Sequence, residues 1–259
     1  MATHAGVRQR LYVAGVVAGL AVVAALVLLI LRFGERGASP PSLQAHPNPE
    51  IPGRIAYVNA QHCIVLIDAA GTSREELYCI GGPPFVVSWL DARTVVFGEG
   101  FGPDVSLTAV DVETRATRPA GVLDAEQPFR YPYRLAESPE GDRAVVDPDG
   151  RVFIIRRGVR SEIADFDIGR SGWLDVASWS PDGEWLLLWH SRPGSEHELW
   201  IVRRDGAFAG TLVDDASAGV VSWWIDGKGA WPPLPTPTPA VRPTPAPAPG
   251  DSGATLARH

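Results

Sequence analysis

The chain has 259 residues, a formal net charge of −7 at pH 7 and a pI near 5.4. That balance argues against a nucleic-acid partner, which selects a basic surface, and the length suits one ordinary domain with appendages. Two cysteines, Cys63 and Cys79, are too few for a disulfide scaffold and lack metal-ligand spacing, so neither a metal nor another cofactor is expected.

Residues 1–10 form a short polar segment, expected to be cytoplasmic. Residues 11–31 read "LYVAGVVAGLAVVAALVLLIL", 21 positions without a charge. At a rise of about 1.5 Å per residue, such a helix spans a hydrocarbon core of about 30 Å. A cleaved signal peptide has a shorter apolar region and a small-residue cleavage site. Here the run continues into Arg32-Phe33-Gly34-Glu35-Arg36, so an uncleaved signal anchor is expected. Arg8 and Arg10 precede the helix, and Arg32 and Arg36 follow it, so the positive-inside balance is nearly even. With only ten residues ahead of the helix, the expected product is single-pass in the cell membrane with its C-terminal part extracytoplasmic. The Gly15–Gly19 pair has helix-packing spacing, which arises readily by chance in an Ala- and Gly-rich helix.

Residues 32–52 make a Pro-rich spacer, ending "GASPPSLQAHPNPEIP". Residues 232–259 begin "PPLPTPTPAVRPTPAPAP" and read as an extended, disordered tail, since proline favours polyproline II and cannot donate to a ladder. The domain proper is expected over 53–231.

Within it a unit recurs. "VVSWLDARTVVFGEG" (86–100), "RLAESPEGDRAVVDPDG" (134–150), "VASWSPDGEWLLLWHS" (176–191) and "VVSWWIDGKGAW" (220–231) align on Ser88, Ala136, Ser178 and Ser222. The steps between these residues are 48, 42 and 44. A period of about 40–50 residues with four strands each is the signature of propeller blades. The last full unit divides into strands A (176–180), B (185–191), C (198–203) and D (210–214). Pro181-Asp182-Gly183 closes the A–B turn, because proline presets φ and glycine accepts φ > 0. Asp91-Ala92-Arg93 lacks that glycine and needs a different turn. The first unit has B (54–60), C (63–69) and D (75–81) but no strand A. Residues 220–224 supply the missing strand. The expectation is therefore an all-β, small propeller of about four blades with terminal-strand closure, behind one N-terminal transmembrane helix. An open partial propeller and a ring shared by two chains remain alternatives.

The stretch "SWSPDGEWLLLWHS" with "HELWIVRRDGAFAGTLV" resembles the repeat of TolB-type propellers, also called WD40-like or PD40 repeats. Ser178 to Gly183 carry the match, and the Arg204-Asp205-Gly206 turn fits it. The other three units are degenerate. The resemblance implies an extracytoplasmic protein-interaction role.

Catalytic signals are weak. Gly98-Glu99-Gly100-Phe101-Gly102 is followed by strand-like sequence, whereas a nucleotide loop needs a helix there. Asp147-Pro148-Asp149-Gly150 lacks the further carboxylates of a calcium loop and reads as a hairpin turn. His190 and His197 flank the B–C loop of the last unit and are placed to face each other; without a third ligand they read as packing or surface residues. HExxH, GxSxG and CxxC are absent. Trp89, Trp179, Trp185, Trp189, Trp200, Trp223 and Trp224 fall on strands and are expected to fill the space between blades. Arg151, Arg156, Arg157 and Arg160 read as a charged edge strand, with anionic lipid or wall polymer as the functional alternative. A hairpin folded about residue 71 places Cys63 directly opposite Cys79, within disulfide reach in an oxidising compartment.

No catalytic, cofactor-binding or metal residue is nominated. The expected function is that of a membrane-anchored extracytoplasmic propeller acting as a binding or protein-interaction module of the cell envelope. Its partners would be the membrane, through 11–31, and an envelope protein. Two other readings stay open: an envelope hydrolase acting on glycan or peptide at the propeller mouth, and a structural partner in an envelope complex.

Overall fold

The computed structural model describes residues 48, 50–84, 86–99, 104–124, 136–169, 172–191, 194, 197–234, 236 and 237. The apolar run 11–31, most of the spacer and most of the Pro-rich tail lie outside the described residues, as do 100–103 of the glycine cluster.

The described part is all-β. Its strands follow the sequence units. The first unit holds β1 (Arg54–Asn59), β2 (Cys63–Asp68) and β3 (Arg74–Cys79). The second holds β4 (Val86–Asp91), β5 (Thr94–Glu99), β6 (Asp104–Asp111) and β7 (Thr117–Asp124). The third holds β8 (Arg143–Val146), β9 (Arg151–Arg156) and β10 (Val159–Asp165). The fourth holds β11 (Trp173–Trp179), β12 (Trp185–Ser191), β13 (His197–Arg203) and β14 (Ala209–Ile225), and β15 (Gly229–Trp231) turns back from it. Neighbours pair antiparallel, as expected of strands joined by tight turns.

One feature of the strands differs from the sequence reading. Strand D of the fourth unit and strand A of the first are one continuous strand, β14, of 17 residues. Its first half pairs with β13, and its second half pairs with β1 through Arg54↔Trp224, Ile55↔Trp223, Ala56↔Ser222 and Tyr57↔Val221. Ala216 meets both His197 and Asn59, so no break in pairing separates the two roles. The fourth and first units therefore share one sheet, in the order β11-β12-β13-β14-β1-β2-β3. In the third unit residues 125–135 lie outside the described residues; what is described of strand A is the bridge Glu137↔Arg143 and the Ala144 N–H donated to Ala136 O at 2.7 Å. Its turn resembles that of the fourth unit: Ser138 donates its N–H to Asp142 O (2.8 Å) and accepts the Asp142 N–H on its hydroxyl (3.0 Å).

The turns behave as their residues require. Gly183 adopts φ +74° and donates to Ser180 O at 2.9 Å. The Ser180 hydroxyl in turn accepts the Trp185 N–H at 2.9 Å. Where glycine is missing, Asp91 Oδ1 accepts the Arg93 N–H at 2.8 Å, an Asx turn. Asp147–Gly150 forms the β8–β9 hairpin, with Gly150 N–H on Asp147 O at 3.0 Å. Gly98 lies inside β5, where a Cβ would come 2.5 Å from Val105 Cγ1, so close packing explains that glycine.

The core lies between sheets. Ile55, Tyr57 and Ile67 of the first unit pack with Leu187, Ile201 and Trp223. Ala56, Ile64 and Leu66 pack with Val87, Trp89 and Phe97 of the second unit. Val152, Ile154 and Phe166 of the third pack with Trp179, Leu188 and Trp200 of the fourth. Trp89, Trp179, Trp200 and Trp223 are fully buried, as expected of residues filling the space between blades. The units thus stack in the order second, first, fourth, third. No apolar cluster among the described residues joins the second sheet to the third, and the described strands form three sheets that do not close into a ring. The arrangement is propeller-like.

β15 lies where the inner strands meet. It pairs with β14 through Trp223↔Trp231 and contacts β4. Trp231 donates its indole N–H to Glu137 O (3.0 Å), and its carbonyl accepts the Ser178 hydroxyl (3.4 Å). Ala230 joins the first–second cluster and Trp231 the third–fourth cluster. Packing continues past Trp231: Pro232 is buried, and Leu234 rests on the outer face of the second sheet beside Val96 and Leu107.

A polar lock ties the shared sheet together. Tyr57 donates its hydroxyl to Asp215 Oδ1 at 3.0 Å, and Arg74 ion-pairs with the same carboxylate. Burial, followed by the Asp215 charge, pushes the Tyr57 phenol well above its usual value, so it remains a donor.

Candidate functional site

A group of polar and aromatic side chains sits where β12 ends and β13 begins. Register decides which residues share a face. His190 lies opposite Glu198, and Trp189 opposite Leu199. Side chains alternate along a strand, so His190, Glu198 and Trp200 point toward the third unit. Trp189 and His197 point the other way. His190 and His197 therefore do not face each other, contrary to the sequence expectation; a shift of one position in register places them on opposite faces.

On the first face, His190 is only 1% exposed. Its Nδ1 lies 3.1 Å from Glu198 Oε2, and the Trp200 indole N–H donates to the same oxygen at 2.7 Å. The His190 ring lies 4.2 Å from the Trp200 ring, which meets Phe166 edge-on at 5.0 Å. The carboxylate holds the imidazole with Nδ1 as donor, leaving Nε2 as the basic atom. Nε2 is buried and has no hydrogen-bonding partner, so no hydroxyl or thiol is paired with it among the described residues. Among the described residues this is an oriented imidazole with no nucleophile hydrogen-bonded to it.

On the opposite face, Trp189 packs edge-on between Trp173 (5.2 Å) and His197 (4.6 Å). Trp173 is 51% exposed, the outer end of an aromatic ladder whose other members, Trp189 and His197, are half-buried. An exposed indole on a rigid strand suits stacking on an apolar or planar partner group.

Cys63 and Cys79 are cross-strand partners on β2 and β3 and are joined as a disulfide. Cys63 N–H donates to Asn59 Oδ1 (2.8 Å), whereas Ile80 N–H donates to His62 O (3.0 Å). The cysteines thus occupy a non-hydrogen-bonded pair, the position of closest approach in an antiparallel ladder. Glu76 Oε1 lies 3.1 Å from Cys79 Sγ. These three residues are grouped tightly enough to hold a metal, but sulfurs joined to each other offer no thiolate.

The arginine cluster lies on the third sheet. Arg151 is tied to Asp147 and Asp149 (3.0 and 3.1 Å), and Arg160 stacks over Phe153 at 3.5 Å. Arg156 lies 3.7 Å from Asp142 and 3.8 Å from Glu140. Sequence reasoning missed Arg204, which reaches from the fourth unit to Asp142 and to Glu140 (3.0 Å). The turn "RRDG" gave no sign of a partner in the preceding unit.

No family model matches the chain, and no curated protein matches it. Partial similarity to solved structures exists. TolB from Acinetobacter baumannii shares 13% identity over 69% of this chain and 49% of its own, with a TM-score of 0.26. A putative TolB from Agrobacterium tumefaciens shares 18% identity over 65% of this chain and 63% of its own, with a TM-score of 0.26. A prolyl endopeptidase shares 14% identity over 69% of this chain and 30% of its own, with a TM-score of 0.24. The chain covers less than two thirds of each of these structures.

Proposed function

We propose that this chain is a membrane-held, TolB-like β-propeller module that binds a protein partner on the extracytoplasmic side of the envelope. The membrane half of the reading rests on the uncharged run 11–31. The binding half rests on the packing of β15 across the inner strands. Ala230 and Trp231 occupy the place where a propeller mouth would lead inward, so recognition falls to outer loops and strand ends. Trp173 is the exposed anchor of that outer surface. A hydrolase needs a nucleophile or a second carboxylate beside its base, and His190 Nε2 has neither as a hydrogen-bonding partner.

The test is site-specific photo-crosslinking of the full chain in its native membrane. A photoreactive residue at position 173 is expected to give one discrete protein adduct, and one at exposed Arg118 none. No adduct at 173, or identical adducts at both positions, would refute the reading. Protease added outside intact spheroplasts should remove the β domain; protection would refute the orientation.

A further inference from the structure

The β9–β10 hairpin closes through Arg157 and Gly158, both left-handed, with φ of 50° and 80°. Such two-residue turns favour Asn-Gly, Asp-Gly or Gly-Gly, since L-residues with a Cβ resist φ > 0. An arginine here works against the turn. Arg115 is likewise left-handed, but its guanidinium is used: it donates to Glu76 O at 2.7 Å and pairs with Glu75 at 3.2 Å. Arg157 has no hydrogen bond or ion pair among the described residues. It instead lines an open cleft of about 510 Å³ with Arg156, Val159 and Ser161. Val159 is 64% exposed, directly opposite Arg156 across the ladder. Thus one tip displays a strained free arginine, a second arginine, a hydroxyl donor and a bare aliphatic side chain. Of the acids nearby, Glu140 and Asp142 are held by Arg204 as well as Arg156, and exposed Glu162 lies on the face of β10 opposite to Val159 and Ser161.

We propose that this tip is a binding site for the phosphodiester headgroup of an anionic phospholipid. Arg157 and Arg156 would hold the phosphate oxygens, the Ser161 hydroxyl would donate to them, and Val159 would enter the acyl boundary. Guanidinium donors match phosphate geometry, and an apolar residue flanked by arginines suits a membrane interface better than a free anion in water. In a chain with net charge −7, such a tip also sets which face can approach an anionic bilayer.

The full chain is reconstituted into nanodiscs of phosphatidylcholine alone or with 30% phosphatidylglycerol (about a third anionic lipid, enough for a surface potential of tens of millivolts). Hydrogen exchange of the 151–165 amides is compared between the two. The wild-type tip is expected to exchange about fivefold more slowly on the anionic discs, the factor for one arginine near a charged surface, and the difference should vanish in high salt. Arg157→Gly relieves the left-handed strain, so it should fold at least as well, yet lose the anionic-lipid protection. Equal exchange on both discs, or undiminished protection in R157G, overturns the proposal. Protection by inorganic tripolyphosphate on phosphatidylcholine discs, equal to that by the anionic lipid, overturns the lipid source. If the chain does not enter discs, the anchor reading fails separately. Cosedimentation with preformed vesicles of the same compositions then decides, and binding only to the anionic set supports the tip.

Discussion

Trp223→Ala tests whether the C-terminal strand locks the first unit to the fourth. Trp223 is fully buried, pairs with Ile55 across β14–β1, and packs among Tyr57, Leu187 and Ile201. Its indole N–H also donates to Pro52 O at 3.0 Å, at the very start of the domain. Truncating a buried tryptophan costs about 3–5 kcal/mol in lost transfer energy and cavity. Orphaning the Pro52 carbonyl adds about 1 kcal/mol. A loss of about 4–6 kcal/mol is a large share of the roughly 5–15 kcal/mol that holds an ordinary domain, and in a domain of this size it lowers Tm by roughly 10–20 °C. Trp173→Ala is the matched control: the same chemical change at a half-exposed site should cost less than about 1 kcal/mol. Urea titration of the full chain in detergent micelles, followed by far-UV circular dichroism, reads both values from the midpoint and slope. If W223A loses no more than W173A, the terminal strand does not hold the two ends together and the account of the shared sheet fails.

Other outcomes follow from the same structure. Stopping the chain after Gly219 should unfold the domain, while stopping after Pro237 should leave Tm unchanged, since described packing runs only to Leu234; equal melting of both would contradict this. Arg204→Ala should cost about 3 kcal/mol by leaving the buried Asp142 carboxylate short of its partner, and the double variant with Asp142→Ala should lose less than the sum of the single losses in the same titration. Thiol counting on unreduced, denatured full chain should find no free thiols, and Cys79→Ser should lose about 3 kcal/mol for a loop of 16 residues; two free thiols would reject the bridge. Asp68 offers a pH test. Burial raises its carboxyl, but hydrogen bonds from Thr72, Ser73 and Gly71 outweigh this and hold it below its ordinary value of 3.8. A depressed pKa contributes stability above that value and loses it as pH falls through the folded-state value. Asp68→Asn should therefore be less stable than wild type at pH 7, and the gap should close in acid below 3.8; a gap that persists there would refute the assignment.

Local chemistry alone determined much of the described part. Alternating apolar residues and Pro-Asp-Gly or Asx turns specify short antiparallel strands, because both signals act within a few residues. Counting strand types exposed a missing partner for Arg54–Asn59 and a spare strand at 220–224, and that pairing needs only edge complementarity. The spacing of Cys63 and Cys79 puts them on one hairpin, but the turn alone would bring Cys63 opposite Tyr78; a one-residue bulge between Ile64 and Val65 sets Cys79 there instead. What tertiary structure decided was everything that depends on contacts between distant units. Whether β14 breaks at Ala216 depends on two neighbours, His197 and Asn59, lying far apart in sequence. The faces of His190 and His197 turned on one residue of register, which the sequence pattern of a loop-flanking pair does not fix. The Arg204–Asp142 clamp joins turns of different units, and such side chains carry no mark of their partner. The role of Trp231 is similar: in sequence it heads a proline tail, and only the meeting of β4, β11 and β14 gives it a place between units.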